Sequence, residues 1–211
     1  MELKSFESQQ DLLQKIQLRQ QKGLLLVLSG PSAGVGKDSV AQLLTQNGAV
    51  ERVVTCTTRP PRAGEKEGLD YYFLTREEFE KRIDEGFFLE WEEYLGNFYG
   101  TPAIEVENLL QKGKDVLLRI DVRGALSVKK KFPHPILVFL TVSSPEVMRR
   151  RLEKRGENPA VIRDKLELAA KETEYLEYFD YLVFNEEGKL EATVAQIKAI
   201  LSAEHARLHF L

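Results

Sequence analysis

The sequence predicts an α/β protein: a three-layer core with a mainly parallel sheet, an inserted α+β lobe and a helical lid. Three observations carry this. Short apolar runs at Leu24–Leu28, Val116–Val122 (apolar apart from Arg119 and Asp121), Ile136–Val142 and Tyr181–Phe184 alternate with helical patterns, the signature of a parallel sheet covered on both faces. A glycine-rich stretch, GPSAGVGKDS at 30–39, follows the first run and opens a helix, as a phosphate-binding P-loop does. Between residues 53 and 103 the alternation breaks down, which marks an insertion. The expected divisions are an N-terminal helix at 1–22, a P-loop core from 23–52, 104–145 and 173–211, the lobe at 53–103 and the lid at 146–172.

The chain has 211 residues, 43% of them apolar, enough for one full core with a small lobe. With 30 basic and 33 acidic residues, the net charge is −3. That balance gives no global attraction to nucleic acid or to an anionic membrane, so an anion site must be a local cluster. One cysteine, Cys56, cannot form an internal disulfide and fits a reducing compartment. No run reaches the ~18 apolar residues of a membrane span, and no basic-then-apolar leader opens the chain. The expectation is a cytoplasmic protein.

In chain order, Phe6, Leu12, Leu13 and Ile16 fall at helical spacing within 5–21, and Gly23 ends that pattern. Leu24–Leu28 is strand-sized. Beyond the glycine loop, Val40, Leu43 and Leu44 mark a helix that stops at Asn47-Gly48. Val53 and Val54 suggest a second strand. Thr57–Asp70 is rich in Pro, Gly and charge, and Tyr71–Leu74 reads as a strand. Thr75 with Glu78 forms a capping-box pattern at a helix start. Phe87–Tyr94 and Phe98–Thr101 read as strands around Leu95-Gly96-Asn97. A helix is expected over 123–131, another from Ser144-Pro145, where Pro145 suits the first helical position, and a last one over 188–204. Residues 146–172 are dense in Arg, Lys and Glu, with Gly156 and Pro159 as a break.

The loop departs from the usual G-x-x-x-x-G-K-[ST] pattern. Five residues, not four, separate Gly30 from Gly36, and Asp38 follows Lys37 where a hydroxyl is expected. One residue, most simply Ala33, must bulge if Gly34, Val35 and Gly36 keep their places. The mechanism survives the count: successive N–H groups and a helix N-terminus attract phosphate, and Lys37 reaches its oxygens. Either Ser39, one position late, or Asp38 itself would meet Mg²⁺.

Arg59 and Arg62 lie three apart in a proline-stiffened loop, where two guanidiniums can clamp one phosphate. Tyr71 and Tyr99 can donate hydroxyls to the same group. Glu90, between Leu89 and Trp91, is a carboxylate in a run that should be buried and is costly there unless paired. Arg151 and Arg155, four apart, share one helix face. Trp91 and Cys56 read as packing residues, and the three histidines, His134, His205 and His209, show no metal-ligand spacing.

The segments TCTTRPPRAGEKEGLDYYFL (55–74), FFLEW (87–91), GNFYGT (96–101), IDVRG (120–124) and RRRLEKRGE (149–157), in this order after a phosphate loop, resemble guanylate kinase over roughly residues 24–187. The resemblance implies Mg²⁺-dependent transfer of the ATP γ-phosphoryl to GMP. It implies ATP contacts from Gly34, Val35, Gly36, Lys37, Asp38, Ser39 and Asn185. For GMP it implies a phosphate held by Arg59, Arg62, Tyr71 and Tyr99, and a base read by Glu90 with hydroxyls of Thr101 and Thr55 and help from Asp70. Guanine offers N1–H and a 2-amino group to a carboxylate; adenine offers neither, and such sites discriminate by ~10⁴ or more. Lys37, Arg59, Arg151, Arg155 and Asp121 would carry the transfer, with Ser39 or Asp38 at the metal. Three changes touch that machinery: the lengthened loop with Asp38, Arg119 in place of the family's first aspartate before Asp121, and Lys165, with Arg163 two before it, in place of a lid arginine. Two other readings stay open: a guanylate-kinase-like binding module without catalysis, against which the intact clamp argues, and a related sugar-phosphate kinase, suggested by the G-K-D-S string.

Overall fold

The computed structural model describes residues 22–94 and 96–207. The helix expected within 1–22 falls on 1–21, outside the described residues. The chain runs β1 (Leu25–Ser29), α1 (Lys37–Gln46), β2 (Glu51–Arg52), β3 (Thr55–Thr57), β4 (Tyr71–Phe73), α2 (Arg76–Asp84), β5 (Phe88–Tyr94), β6 (Asn97–Pro102), α3 (Ala103–Gln111), β7 (Val116–Arg119), α4 (Val122–Lys131), β8 (Ile136–Thr141), α5 (Pro145–Lys154), α6 (Pro159–Thr173), a 3₁₀ turn (Glu174–Tyr178), β9 (Tyr181–Phe184) and α7 (Leu190–His205).

Five strands form a sheet in the order β2-β7-β1-β8-β9, and every pairing in it is parallel. Side chains alternate across a strand, so β1 feeds two cores. Leu26 and Leu28 pack with Val40, Leu44, Ile197 and Leu201 of α1 and α7. Leu25 and Val27 pack with Val106, Leu110, Ala125 and Val128 of α3 and α4. This is the expected three-layer arrangement, and the unbroken apolar strands follow from burial on both faces.

The second sheet, ordered β4-β3-β6-β5, is mixed: β3 runs parallel to β4 and antiparallel to β6. Its own core holds Cys56, Phe79, Phe88 and Phe98. Phe79 of α2 stacks at 4.3 Å from Phe88 and 5.2 Å from Phe98. Helix α2 carries the expected capping box: Thr75 Oγ1 accepts from the Glu78 N–H at 3.1 Å, and the Thr75 N–H donates to Glu78 at 2.8 Å. A third cluster joins Val35 of the glycine loop to Met148, Leu152 and Ile162 of α5 and α6. The break between those two helices falls at Gly156, with positive φ, and Pro159 opens α6.

Several expectations need correction. Val53 and Val54 form no strand. They bridge β2 of the core sheet to β3 of the second sheet, and Val53 is buried in the core, so burial rather than pairing selects the valine. The strand expected to Val122 stops at Arg119, because Asp121 accepts from the Gly124 N–H at 2.6 Å and caps α4. Trp91 is 41% exposed and meets Phe98 only edge-on. Helix α3 and the 3₁₀ turn were not read from the sequence. Among the described residues, no helix is long and apolar enough to cross a membrane.

Phe79→Ala should lower stability to urea by ~3–5 kcal/mol through cavity formation, and Thr75→Ala by about 1 kcal/mol through loss of the cap. Denaturation midpoints at constant slope measure both.

Candidate active site

The glycine loop leaves the C-terminal end of β1, where open parallel sheets place their ligands. Its two glycines are demanded by geometry. Gly34 has φ 74°, and a Cβ there would run into Met148; Gly36 has φ 85°, with Asn185 Nδ2 in the way. The surplus residue does not swing out to solvent. Ala33 is half-buried against the Val35–Met148 cluster, so apolar packing under the loop absorbs the insertion. Helix α1 opens on Gly36 with no side-chain cap, which leaves its first N–H groups for an anion.

The loop is braced from behind. Asn185 Nδ2 donates to the Val35 carbonyl at 2.8 Å. Arg151 Nη1 donates to the Gly34 and Val35 carbonyls, each at 3.3 Å, and Nη2 to the Asn185 carbonyl at 2.6 Å. Burial lowers the Arg151 pKa. The buried Glu172 carboxylate accepts from the Ser32 N–H at 2.7 Å and from its hydroxyl. Lys37 Nζ turns back on its own loop, donating to the carbonyls of Gly30 at 2.6 Å and Pro31 at 3.0 Å. Burial brings its pKa down to about 8, against the attraction of Glu172.

A cavity of about 420 Å³ opens between α1, the end of β7 and the second sheet. Asp38, Gln42, Arg52, Thr55, Tyr71, Thr101 and Arg119 are among the residues that line it. Thr101 Oγ1 donates to Glu90 Oε1 at 2.5 Å, and Glu90 is 4% exposed. Removal from water pushes its pKa up from 4.5 to about 7, with the Thr101 hydroxyl pulling the other way. Two residues along β5, Glu92 is also raised to about 7, first by burial, then by its hydrogen bond with Asp121. A larger cavity of about 790 Å³, near Leu25, Phe88, Phe132 and His205, contains no loop or clamp residue, and its walls do not converge on phosphate.

Beside Tyr71, which lines the smaller cavity, Arg59 Nη2 donates to both Glu65 oxygens at 2.8 and 3.0 Å, and Nη1 to the Pro60 carbonyl at 2.6 Å. Its guanidinium lies 5.5 Å from the Tyr71 ring centre, and the Tyr99 ring stands edge-on to Tyr71 at 6.3 Å. Arg62 is exposed, and its N–H donates to Glu65 at 2.7 Å. The Asp70 carboxylate accepts from the Lys66 N–H at 2.8 Å. Asp38 pairs with Arg119 at 3.1 Å, and Ser39 is exposed beside it. Arg155 ends α5, exposed. Lys165 pairs with Glu157, and Arg163 lies 3.8 Å from its neighbour Asp164.

Thr55, Tyr71 and Thr101 thus line one cavity; Glu90 is bonded to Thr101, and Arg59 and Tyr99 lie against the Tyr71 ring. Lys37, Arg151 and Asn185 gather around the loop. Arg62 and Arg155 stand at the periphery. Sequence reasoning missed Glu65, Glu92 and Glu172. Glu65 lies inside the quoted arginine run, and Glu92 follows Glu90 at the spacing that shares a strand face; Glu172 has no local signal.

A P-loop braced beneath a parallel sheet, facing a second cavity rimmed by cations, defines a nucleotide-binding protein of the P-loop class. The guanylate kinase family profile matches residues 22–204. The chain is 45% identical over 192 residues to the guanylate kinase of Shouchella clausii, covering 90% of this chain and 92% of that one. With that of Bacillus subtilis the identity is 45% over 190 residues, covering 89% and 92%. Among solved structures, guanylate kinase from Anaplasma phagocytophilum superposes with TM-score 0.70 at 36% identity, over 89% of each chain. The chain belongs to the guanylate kinase family.

Because the Glu90 pKa in the fold lies above its unfolded value, the fold is favoured while Glu90 is protonated and loses stability as pH rises from about 5 through 7. Nucleotide-free protein should therefore be more stable at pH 5.5 than at pH 8. Glu90→Gln should remove a part of that slope on the order of a few kcal/mol. Urea titrations of both proteins across pH measure it.

Proposed function

We propose that this guanylate kinase transfers the γ-phosphoryl of ATP to GMP, giving GDP and ADP, with ATP on the glycine loop and GMP in the 420 Å³ cavity. The observation that carries the reading is Glu90, a carboxylate sealed from water with one hydroxyl partner. Guanine N1–H and the 2-amino group would supply the two donors it lacks; adenine would leave it unpaired. In this reading Thr101 and Thr55 add hydroxyls to the base, with Asp70 nearby. Tyr71, Tyr99, Arg59 and Arg62 take the phosphate, which displaces Glu65 from Arg59.

Donor phosphates would replace the Gly30 and Pro31 carbonyls on Lys37 and take the N–H groups of Gly34, Val35, Gly36, Asp38 and Ser39. Asn185 acts on this side through its bond to the loop. Arg151 and Arg155 would close from the lid, 146–172, as the lobe, 53–103, closes from the other side of the core formed by 23–52, 104–145 and 173–211. Asp121 would orient the acceptor phosphate. The residues present fit Mg²⁺, which takes few protein oxygens beside phosphates and water: Ser39 and Asp38 offer a hydroxyl and a carboxylate, both exposed in the first turn of α1. When bound, the ion supplies neutralisation of the developing phosphoryl charge. The protein's part is to hold two anionic groups in line, which demands cations on both sides rather than covalent chemistry.

Purified protein with ATP, Mg²⁺ and GMP should form GDP, with AMP a poor acceptor. GDP no higher than in a Lys37→Ala control would overturn the assignment. Glu90→Gln should lower kcat/KM for GMP by roughly a hundredfold or more, since a site hydrogen bond matched to the substrate is lost. Wild-type kcat/KM in that variant would remove Glu90 from base recognition.

A further inference from the structure

Asp38 and Arg119 depart from the expected pattern separately in sequence, yet they meet in space. Arg119 ends β7, the one exposed residue of that strand after the buried Val116, Leu117 and Leu118. It stands beside Leu28 of β1, the strand that feeds the glycine loop. Asp38 follows Lys37 in the first turn of α1. The Arg119 Nη1 to Asp38 Oδ1 distance is 3.1 Å, with side chains 46% and 82% exposed. Both line the 420 Å³ cavity together with Thr55, Tyr71 and Thr101. The ion pair therefore reaches from the donor helix into the acceptor cavity.

So exposed a pair contributes little to stability. It is too weak to be a brace and cheap to open. What it does is hold a guanidinium, with its fork of donors, at the edge of a cavity into which an anion must come. Arg119 and Asp38 also both act on Lys37, with opposite signs, so the pair sits within electrostatic reach of the place where the two nucleotides' phosphates would approach.

We propose that Arg119 is a positioning residue for the acceptor's phosphoryl group, stored on Asp38 until the acceptor arrives. This rests on the acceptor cavity being the GMP site. On binding, the guanidinium exchanges the Asp38 carboxylate for phosphate oxygens. It adds a third cation to Arg59 and Arg62 and leaves the Asp38 carboxylate free on the donor side.

The sign of one mutation separates this from a surface ion pair. GMP is titrated calorimetrically into metal-free, nucleotide-free wild type, Asp38→Asn, Arg119→Gln and the double variant. Asp38→Asn should bind GMP about two- to fivefold more tightly, because the competing carboxylate is gone. Arg119→Gln should bind about tenfold more weakly through loss of a charge-assisted bond, and Arg119→Lys should keep part of the affinity. In the Arg119→Gln background the Asp38→Asn gain should vanish. Guanosine, which lacks the phosphate, should bind all variants alike. Arg119→Gln that binds GMP like wild type, or that weakens guanosine as much as GMP, would overturn the proposal while leaving the acceptor site intact. Wild type that binds no GMP would overturn the cavity assignment itself.

Discussion

A carboxylate that cannot reach water sets the terms for this molecule. Glu90 lies on β5 with a single hydroxyl, Thr101, against it. Burying a lone carboxylate is expensive, and in the empty protein the cost appears as a pKa raised to about 7. The surrounding lobe must be rigid enough to enforce that. Its aromatic stack of Phe88, Phe79 and Phe98 and the β5–β6 pairing that sets Glu90 opposite Thr101 supply the rigidity. The same confinement makes the site selective in the proposed reaction, since only a ligand with two matched donors repays the desolvation.

The proposed phosphate side is organised by a different rule: its cations already hold protein acceptors. Lys37 rests on two loop carbonyls, Arg59 on Glu65, Arg119 on Asp38 and Arg151 on carbonyls of the loop and of Asn185. Each stays placed without a ligand, and those facing the cavity or loop can exchange one oxygen partner for another. The bracing under the loop also ties α5 to it through Val35 and Met148, so motion of α5 would be felt at the loop, and the reverse.

Much of the fold was legible because its causes are local. The β1 run, the loop glycines, the Thr75–Glu78 box and Pro145 each act within a few residues. What sequence could not give was set by the third dimension. Val53 and Val54 looked like a strand because β-branched residues suit both strands and buried crossovers. Asp121 looked like part of a strand although an aspartate before a helix is an N-cap. At the site, Glu90, Thr101 and Tyr71 were readable from motif order. The bracing by Glu172, 140 residues from Ser32, and the pairing of Asp38 with Arg119 were not, since neither has a local pattern. The loop insertion looked disruptive on the string, but Ala33 packs, half-buried, against the apolar cluster beneath the loop.

The most direct measurement of the central claim is proton release when GMP binds. Near pH 7 a large share of Glu90 is protonated in the empty protein, and two guanine donors would require the carboxylate. Titrations in buffers of different ionisation enthalpy should show protons released on binding, and Glu90→Gln should lose that release. Binding with identical proton exchange in wild type and variant would contradict the account, because the buried carboxylate would then not be the group that reads the base.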